Sequence, residues 1–189
     1  MAHDLTNGKI TDHNNLLLCV DGGSQPKNPG VAACGWVIFD DKKNVLVEEA
    51  RIVSLHNTNN YAEYCGLGHS LRWLVDQNWR GQLTVQADSQ LLIYQVAGQW
   101  KCNAENLRPM RHRIWDHLEA LELYVVKDEL RGMKATRKNL FGEQESSSLC
   151  ELKWVPRELN SYADALSDSA FAQHWNPAFP VPLNFVGLK

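Results

Sequence analysis

No apolar run in this chain approaches the roughly 20 residues needed to cross a bilayer. The first fifteen residues, MAHDLTNGKITDHNN, are polar and contain acids. Neither a membrane span nor a secretory or Arg-rich targeting segment is therefore expected. Cysteine pairs are missing too. The five cysteines, Cys19, Cys34, Cys65, Cys102 and Cys150, are odd in number, scattered, and include no CxxC. That argues against a zinc site or a disulfide framework and for reduced thiols in a cytoplasmic setting. Positive charge is not in surplus: Lys+Arg 19 against Asp+Glu 22 gives a net charge of −3. A polyanionic partner would have to be held by local basic groups or bridging metal ions, not by a global field. No internal repeat is visible.

What is present is ordinary for a globular chain: 44% hydrophobic and 22% charged residues over a length of 189. This fits one domain with some excess for an insertion and a tail. Residues 1–15 read as a polar leader, 16–174 as the domain, 127–148 as a polar insert within it, and 175–189 as an apolar, Pro-rich tail. Leu16–Gly23, Val31–Phe39 and Val45–Leu55 read as three strands joined by short turns, an antiparallel meander. A helix follows, with apolar residues from Tyr61 to Val75 at i, i+3, i+4 spacing and Asn59 or Asn60 as its cap. Leu83–Ala87 is a short strand, and Gln90–Ala97 a short helix. A longer helix carries Leu107, Met110, Ile114, Leu118, Leu121 and Val125, with Pro109 in its first turn. Leu149–Val155 is the last strand, and a final helix runs from about Asn160 to His174. Core packing is the default role of Trp36, Trp73, Trp79, Trp115 and Trp154. Trp100 stands apart from these, beside a small basic surface of Arg108, Arg111 and Arg113.

Four acids recur at element ends: Asp21 and Asp88 at strand ends, Glu63 and Asp164 in the first turns of helices. Each has a plain structural alternative. Asp21 can form a turn, Glu63 can close a capping box with Asn60, Asp88 can cap a helix, and Asp164 can favour a helix dipole. In this order of elements, however, the first and fourth strands can be neighbours, which brings Asp21 beside Asp88. Carboxylates that converge without basic partners repel one another unless divalent cations lie between them. An oxygen-only ligand set suits Mg²⁺ or Mn²⁺.

The motifs DGGSQPKNPG (Asp21–Gly30), TNNYAEY (Thr58–Tyr64), QADSQ (Gln86–Gln90) and WVPRELNSYADAL (Trp154–Leu166), taken in order, resemble type 1 ribonuclease H. The last resembles its VPRE-N-x-AD branch of archaeal, bacterial and plant-type sequences. The resemblance covers about Leu16 to Gln173. It implies an α/β ribonuclease H-like fold, a five-stranded mixed sheet in the order β-β-β-α-β-α-α-β-α with helices on both faces. It implies endonucleolytic hydrolysis of the RNA strand of an RNA–DNA hybrid by two Mg²⁺ or Mn²⁺ ions, leaving 5′-phosphate and 3′-hydroxyl ends. Asp21, Glu63, Asp88 and Asp164 match the metal-binding carboxylates. Gly22, Gly23, Ser24 and Asn28 lie in the turn that approaches the RNA strand, where 2′-hydroxyls are read. Asn59, Asn60 and Gln90 match positions facing the minor groove, and Thr58 and Asn106 a pocket for a DNA-strand phosphate. His56 stands where some members have an arginine near that pocket. Helix capping and turn formation explain the asparagines as readily.

Two features depart from the pattern. The loop before Asp164 offers Arg157, Glu158 and Asn160 where many members carry a histidine. No prominent basic handle is present, although Lys127, Arg131, Lys134, Arg137 and Lys138 in the insert are candidates for a replacement arm. A monomer is the default. The rival readings are a hybrid-binding module that does not cut, and another nuclease of the same fold.

Overall fold

The computed structural model describes residues 3–4, 9–125 and 148–178. The insert's five basic residues, residues 1–2 and 5–8 of the leader, and most of the tail lie outside the described residues. The apolar run at the start of the first long strand ends up in the middle of a seven-stranded sheet. The strands are β1 (His3–Asp4), β2 (Asn15–Gln25), β3 (Gly30–Phe39), β4 (Val45–Asn57), β5 (Gln82–Ala87), β6 (Leu123–Val125) and β7 (Ser148–Trp154). Among the described residues four α-helices accompany the sheet: α1 (Asn59–Asp76), α2 (Gln90–Val96), α3 (Arg108–Ala120) and α4 (Ser161–Trp175).

The sheet order is β1-β4-β3-β2-β5-β7-β6. Strands β2, β3 and β4 form the expected antiparallel meander, and β5, β7 and β6 add to it in parallel. Five of the seven are the expected strands. The two additions are short edge strands, β1 against β4 and β6 against β7.

Strand β2 is apolar on both faces because both are covered. Leu18 and Val20, with Trp36 and Ile38 of β3, pack against Tyr64, Leu67 and Leu71 of α1, Leu92 and Ile93 of α2, and Ile114 and Leu118 of α3. Cys19 and Val37 face the other way, onto Ala163 and Leu166 of α4. Two glycines set how closely the helices sit. A Cβ on Gly22 would fall 2.4 Å from the Ala62 carbonyl carbon of α1, and one on Gly35 would fall 2.6 Å from the Ala163 carbonyl oxygen of α4. All five cysteines are buried free thiols. Among the described residues no helix is long and apolar enough to cross a membrane.

Several local expectations are corrected. Thr58, not Asn59 or Asn60, caps α1, its Oγ1 accepting from the Tyr61 N–H at 3.3 Å. Glu63 consequently lies in the second turn, beyond the reach of a capping box. Ser89 rather than Asp88 caps α2, its Oγ accepting from the Leu92 N–H. Helix α3 stops at Ala120, because Glu122 turns into the left-handed region (φ 58°) and Leu123–Val125 leaves as β6. Trp36 and Trp79 are wholly buried, but Trp115 and Trp154 are 37% and 41% exposed. Their indole N–H groups bond carbonyls at the rim, of Val96 and Asp88 respectively, which holds the rings at the surface.

Candidate active site

The parallel pairing of β2 with β5 puts Cys19 opposite Gln86. Two residues further on, Asp88 stands just past the end of β5, whereas Asp21, expected at a strand end, lies inside β2, which continues through Gly22–Gln25 paired with β3. Glu63 reaches them from α1 across Gly22, where the missing side chain lets the helix backbone rest on the strand. Carboxylate oxygens of Asp21, Glu63 and Asp88 lie within 4.8 Å of one another. Asp164, from the first turn of α4, lines the same cleft of about 370 Å³. It stands apart from the group of three, and its Oδ1 is paired with the Arg157 guanidinium. Among the described residues Arg157 is the one basic side chain in the cleft lining.

The carboxylates are held individually. The Ser167 hydroxyl of α4 donates to Asp21 Oδ2. The Asn160 side-chain amide donates to Asp88 Oδ1 at 2.9 Å. Glu63 Oε2 is buried without a hydrogen-bond partner among the described residues. Burial pushes the Asp21 carboxyl up to about 6. The Ser167 bond opposes this, the charges of Asp88 and Asp164 reinforce it, and Arg157 opposes it again. Burial, then the charges of Asp21 and Asp88, raise Glu63 well above the usual carboxylate range. Such a cluster disfavours its own negative charge when it stands alone. Hard divalent cations coordinated by oxygen relieve both the repulsion and the unpaired oxygen.

The other residues singled out in the sequence divide into two groups. Gly22, Gly23, Ser24, Asn59, Asn60 and Arg157 line the cleft with the acids. Asn28, His56, Thr58, Gln90 and Asn106 are not part of that lining. Thr58 caps α1, and Asn28 Oδ1 accepts from the Asn59 N–H at 3.3 Å, tying the turn after β2 to the start of α1. His56, Gln90 and Asn106 are exposed. Ser24, expected in a turn, lies in β2, and the carbonyls of Lys27 in the following turn and of Asn57 at the end of β4 are each 2.9 Å from its Oγ. Sequence reasoning missed Ser167 and the bond from Asn160 to Asp88. The only sequence signal for Ser167 was its position three residues after Asp164, on the same helical face. It also missed Phe171, whose ring lies 3.3 Å from where a Gly23 Cβ would stand.

A family model described as reverse transcriptase-like matches residues 19–135. The chain belongs to the reverse transcriptase-like ribonuclease H family. It is 31% identical over 155 residues to the bifunctional protein Rv2228c of Mycobacterium tuberculosis, covering 82% of this chain and 35% of that protein. It thus spans about a third of the length of that relative. It is also 31% identical over 167 residues to ribonuclease HI of Halobacterium salinarum, covering 88% of this chain and 70% of the relative. The ribonuclease H fold is matched by the solved N-terminal RNase H domain of Rv2228c, with TM-score 0.66 and 26% identity over 87% of this chain and 99% of that one. LC11-RNase H1 in complex with an RNA/DNA hybrid matches with TM-score 0.65 and 26% identity, over 85% of this chain and 99% of that one.

Proposed function

We propose that this ribonuclease H-family chain is a metal-dependent endonuclease that hydrolyses the RNA strand of RNA–DNA hybrids, leaving 5′-phosphate and 3′-hydroxyl ends. The observation that carries this reading is the group of Asp21, Glu63 and Asp88, in which a buried Glu63 oxygen has no partner among the described residues. Relatives support it: one is a ribonuclease HI, and another has been solved with an RNA/DNA hybrid.

The donor set fits two Mg²⁺ or Mn²⁺ ions held by Asp21, Glu63 and Asp88, with Asp164 joining from α4 once it leaves Arg157. Bound there, divalent ions supply an activated water and stabilise charge on the leaving oxygen of a phosphodiester. The chain's own residues do the rest. Gly22, Gly23 and Ser24 give a backbone without bulky side chains against which a ribose can lie. Asn59 and Asn60 face the same cleft with amides able to bond a 2′-hydroxyl or a base edge. Asn28 ties the turn after β2 to the start of α1. His56, Thr58, Asn106 and Gln90 act on the DNA strand and the minor groove, outside the acidic cleft. Arg157 offers its guanidinium to a phosphate when Asp164 turns to an ion. The sequence WVPRELNSYADAL supports placing the chain in the VPRE-N-x-AD branch. We assign the catalytic unit to residues 16–174, acting as a monomer in the cytoplasm.

The test is a panel of end-labelled RNA–DNA hybrid, DNA duplex and RNA duplex incubated with Mg²⁺ or Mn²⁺ over a concentration series. Internal cleavage of RNA in the hybrid alone is expected. Equal cutting of DNA duplex would indicate another nuclease of the fold. Tight hybrid binding with no cleavage in either metal would indicate a non-catalytic module.

A further inference from the structure

Asn160 occupies the N-cap of α4, where an asparagine ordinarily uses its side-chain oxygen to accept from the first helical N–H groups. It makes no such bond here. Its amide nitrogen instead donates to the Val20 carbonyl at 2.8 Å and to Asp88 Oδ1 at 2.9 Å. The residue is 1% exposed, and its Oδ1 is buried without a partner among the described residues. Both of its partners are acceptors, so only the nitrogen of the amide can face them. Leaving the oxygen unpaired is unfavourable, and helix capping is forgone as well. Neither local structure nor helix stability accounts for the arrangement. What it secures is a donor on Asp88. The backbone extends the link, because the Asp164 N–H donates to the Asn160 carbonyl at 3.1 Å. One residue therefore joins β2 one position before Asp21, the carboxylate of Asp88, and the turn that carries Asp164.

We propose that Asn160 is a positioning residue that sets the Asp88 carboxylate for divalent-ion binding and locks α4 to the middle of β2 and the end of β5. The inference rests on the reading of Asp88 as an ion ligand. Asn160 itself touches neither ion nor substrate. It acts through Asp88, as hydrogen-bond partners behind metal ligands orient them and tune their affinity.

The experiment is Mn²⁺ binding to the full chain without substrate, with free ion counted by electron paramagnetic resonance. Wild type, Asn160→Ala, Asp88→Asn and the double variant are compared, with melting curves in EDTA for each. Asn160→Ala is expected to weaken Mn²⁺ binding by about tenfold or more while the EDTA melting curve stays cooperative. Added to Asp88→Asn, the same change should produce little further loss, because its route runs through Asp88. Asn160→Ser, too short to reach Asp88, makes the same comparison if the alanine variant does not fold. Wild-type affinity in either Asn160 variant overturns the inference, as does an undiminished loss in the Asp88→Asn background. A wild-type chain that binds no Mn²⁺ overturns the ion reading of Asp88, and this inference with it.

Discussion

A Cβ on Gly22 would stand 2.3 Å from the backbone nitrogen of Glu63. The absence of a side chain at Gly22 is therefore what allows α1 to rest on β2 and deliver the Glu63 carboxylate to Asp21. Gly22→Ala should push α1 outward. The expected loss of stability is about 1–3 kcal/mol, the usual range for overpacking, measured by urea denaturation. Cleavage of hybrid should fall further than the change in folded fraction explains. Full activity in a destabilised Gly22→Ala chain would separate the glycine from the geometry of the acids.

The raised Asp21 pKa makes stability depend on pH when no ion is bound. In the folded chain this carboxyl titrates at about 6, against 3.8 for an unperturbed aspartate. Below the lower value the folded and unfolded states are both protonated, and the burial costs nothing. As pH rises through the upper one, the folded state must carry a charge that the unfolded state carries freely. Stability on the order of 3 kcal/mol is lost across this window, and Glu63, also raised, adds to the loss. In EDTA the urea midpoint should fall from about pH 4 to about pH 7.5, the two sides of this window. Asp21→Asn should flatten that slope, and Mg²⁺ at the upper pH should restore the wild-type midpoint. A slope unchanged by Asp21→Asn would contradict the burial argument.

Asp21 and Asp88 were legible as neighbours because the order of elements, rather than any local propensity, puts the first and fourth long strands side by side, whereas Glu63 and Asp164 were marked only by the family resemblance. The apolar run Leu16–Val20 declared a doubly covered strand, and Leu83–Ala87 after a helix declared a parallel neighbour, so Asp21 and Asp88 could be placed side by side. Strand β6 was not legible. Leu121 and Val125 continue the helical spacing that Ile114 and Leu118 begin. Only tertiary pairing with β7 and the left-handed turn at Glu122 break that helix. The role of Ser167 was hidden for another reason. Its spacing from Asp164 says nothing of Asp21 until Gly35 lets α4 settle close enough for the serine hydroxyl to reach that carboxylate. Cap assignment failed among Thr58, Asn59 and Asn60 because both residue types serve at an N-cap.

Ser167→Ala removes the donor that favours the ionised form of Asp21. The acid limb of the pH profile for cleavage should move upward by about one pH unit, as expected for losing a hydrogen bond to a charged group. The rate at high pH and saturating Mg²⁺ should change little. An unmoved acid limb would show that another group controls it.

Arg157 is paired with Asp164, and on the proposed reading it competes with cations for that carboxylate. The pair is partly exposed, so its contribution is at most about 1 kcal/mol. Arg157→Gln should therefore tighten Mn²⁺ binding by up to about fivefold, the equivalent of that energy, read by titration without substrate. It should also weaken hybrid binding and lessen its dependence on salt, because one phosphate-directed cation is gone. Looser Mn²⁺ binding in this variant would contradict the competition.

The most direct measurement is single-turnover cleavage of an end-labelled RNA–DNA hybrid in Mg²⁺ by wild type and Asp88→Asn, with folding of both checked by melting. Wild type should cut the RNA strand internally, and Asp88→Asn, folded and able to bind hybrid, should be slower by at least about a hundredfold. Cleavage at the wild-type rate by folded Asp88→Asn would contradict the assignment of the acidic cluster as the ion-binding centre.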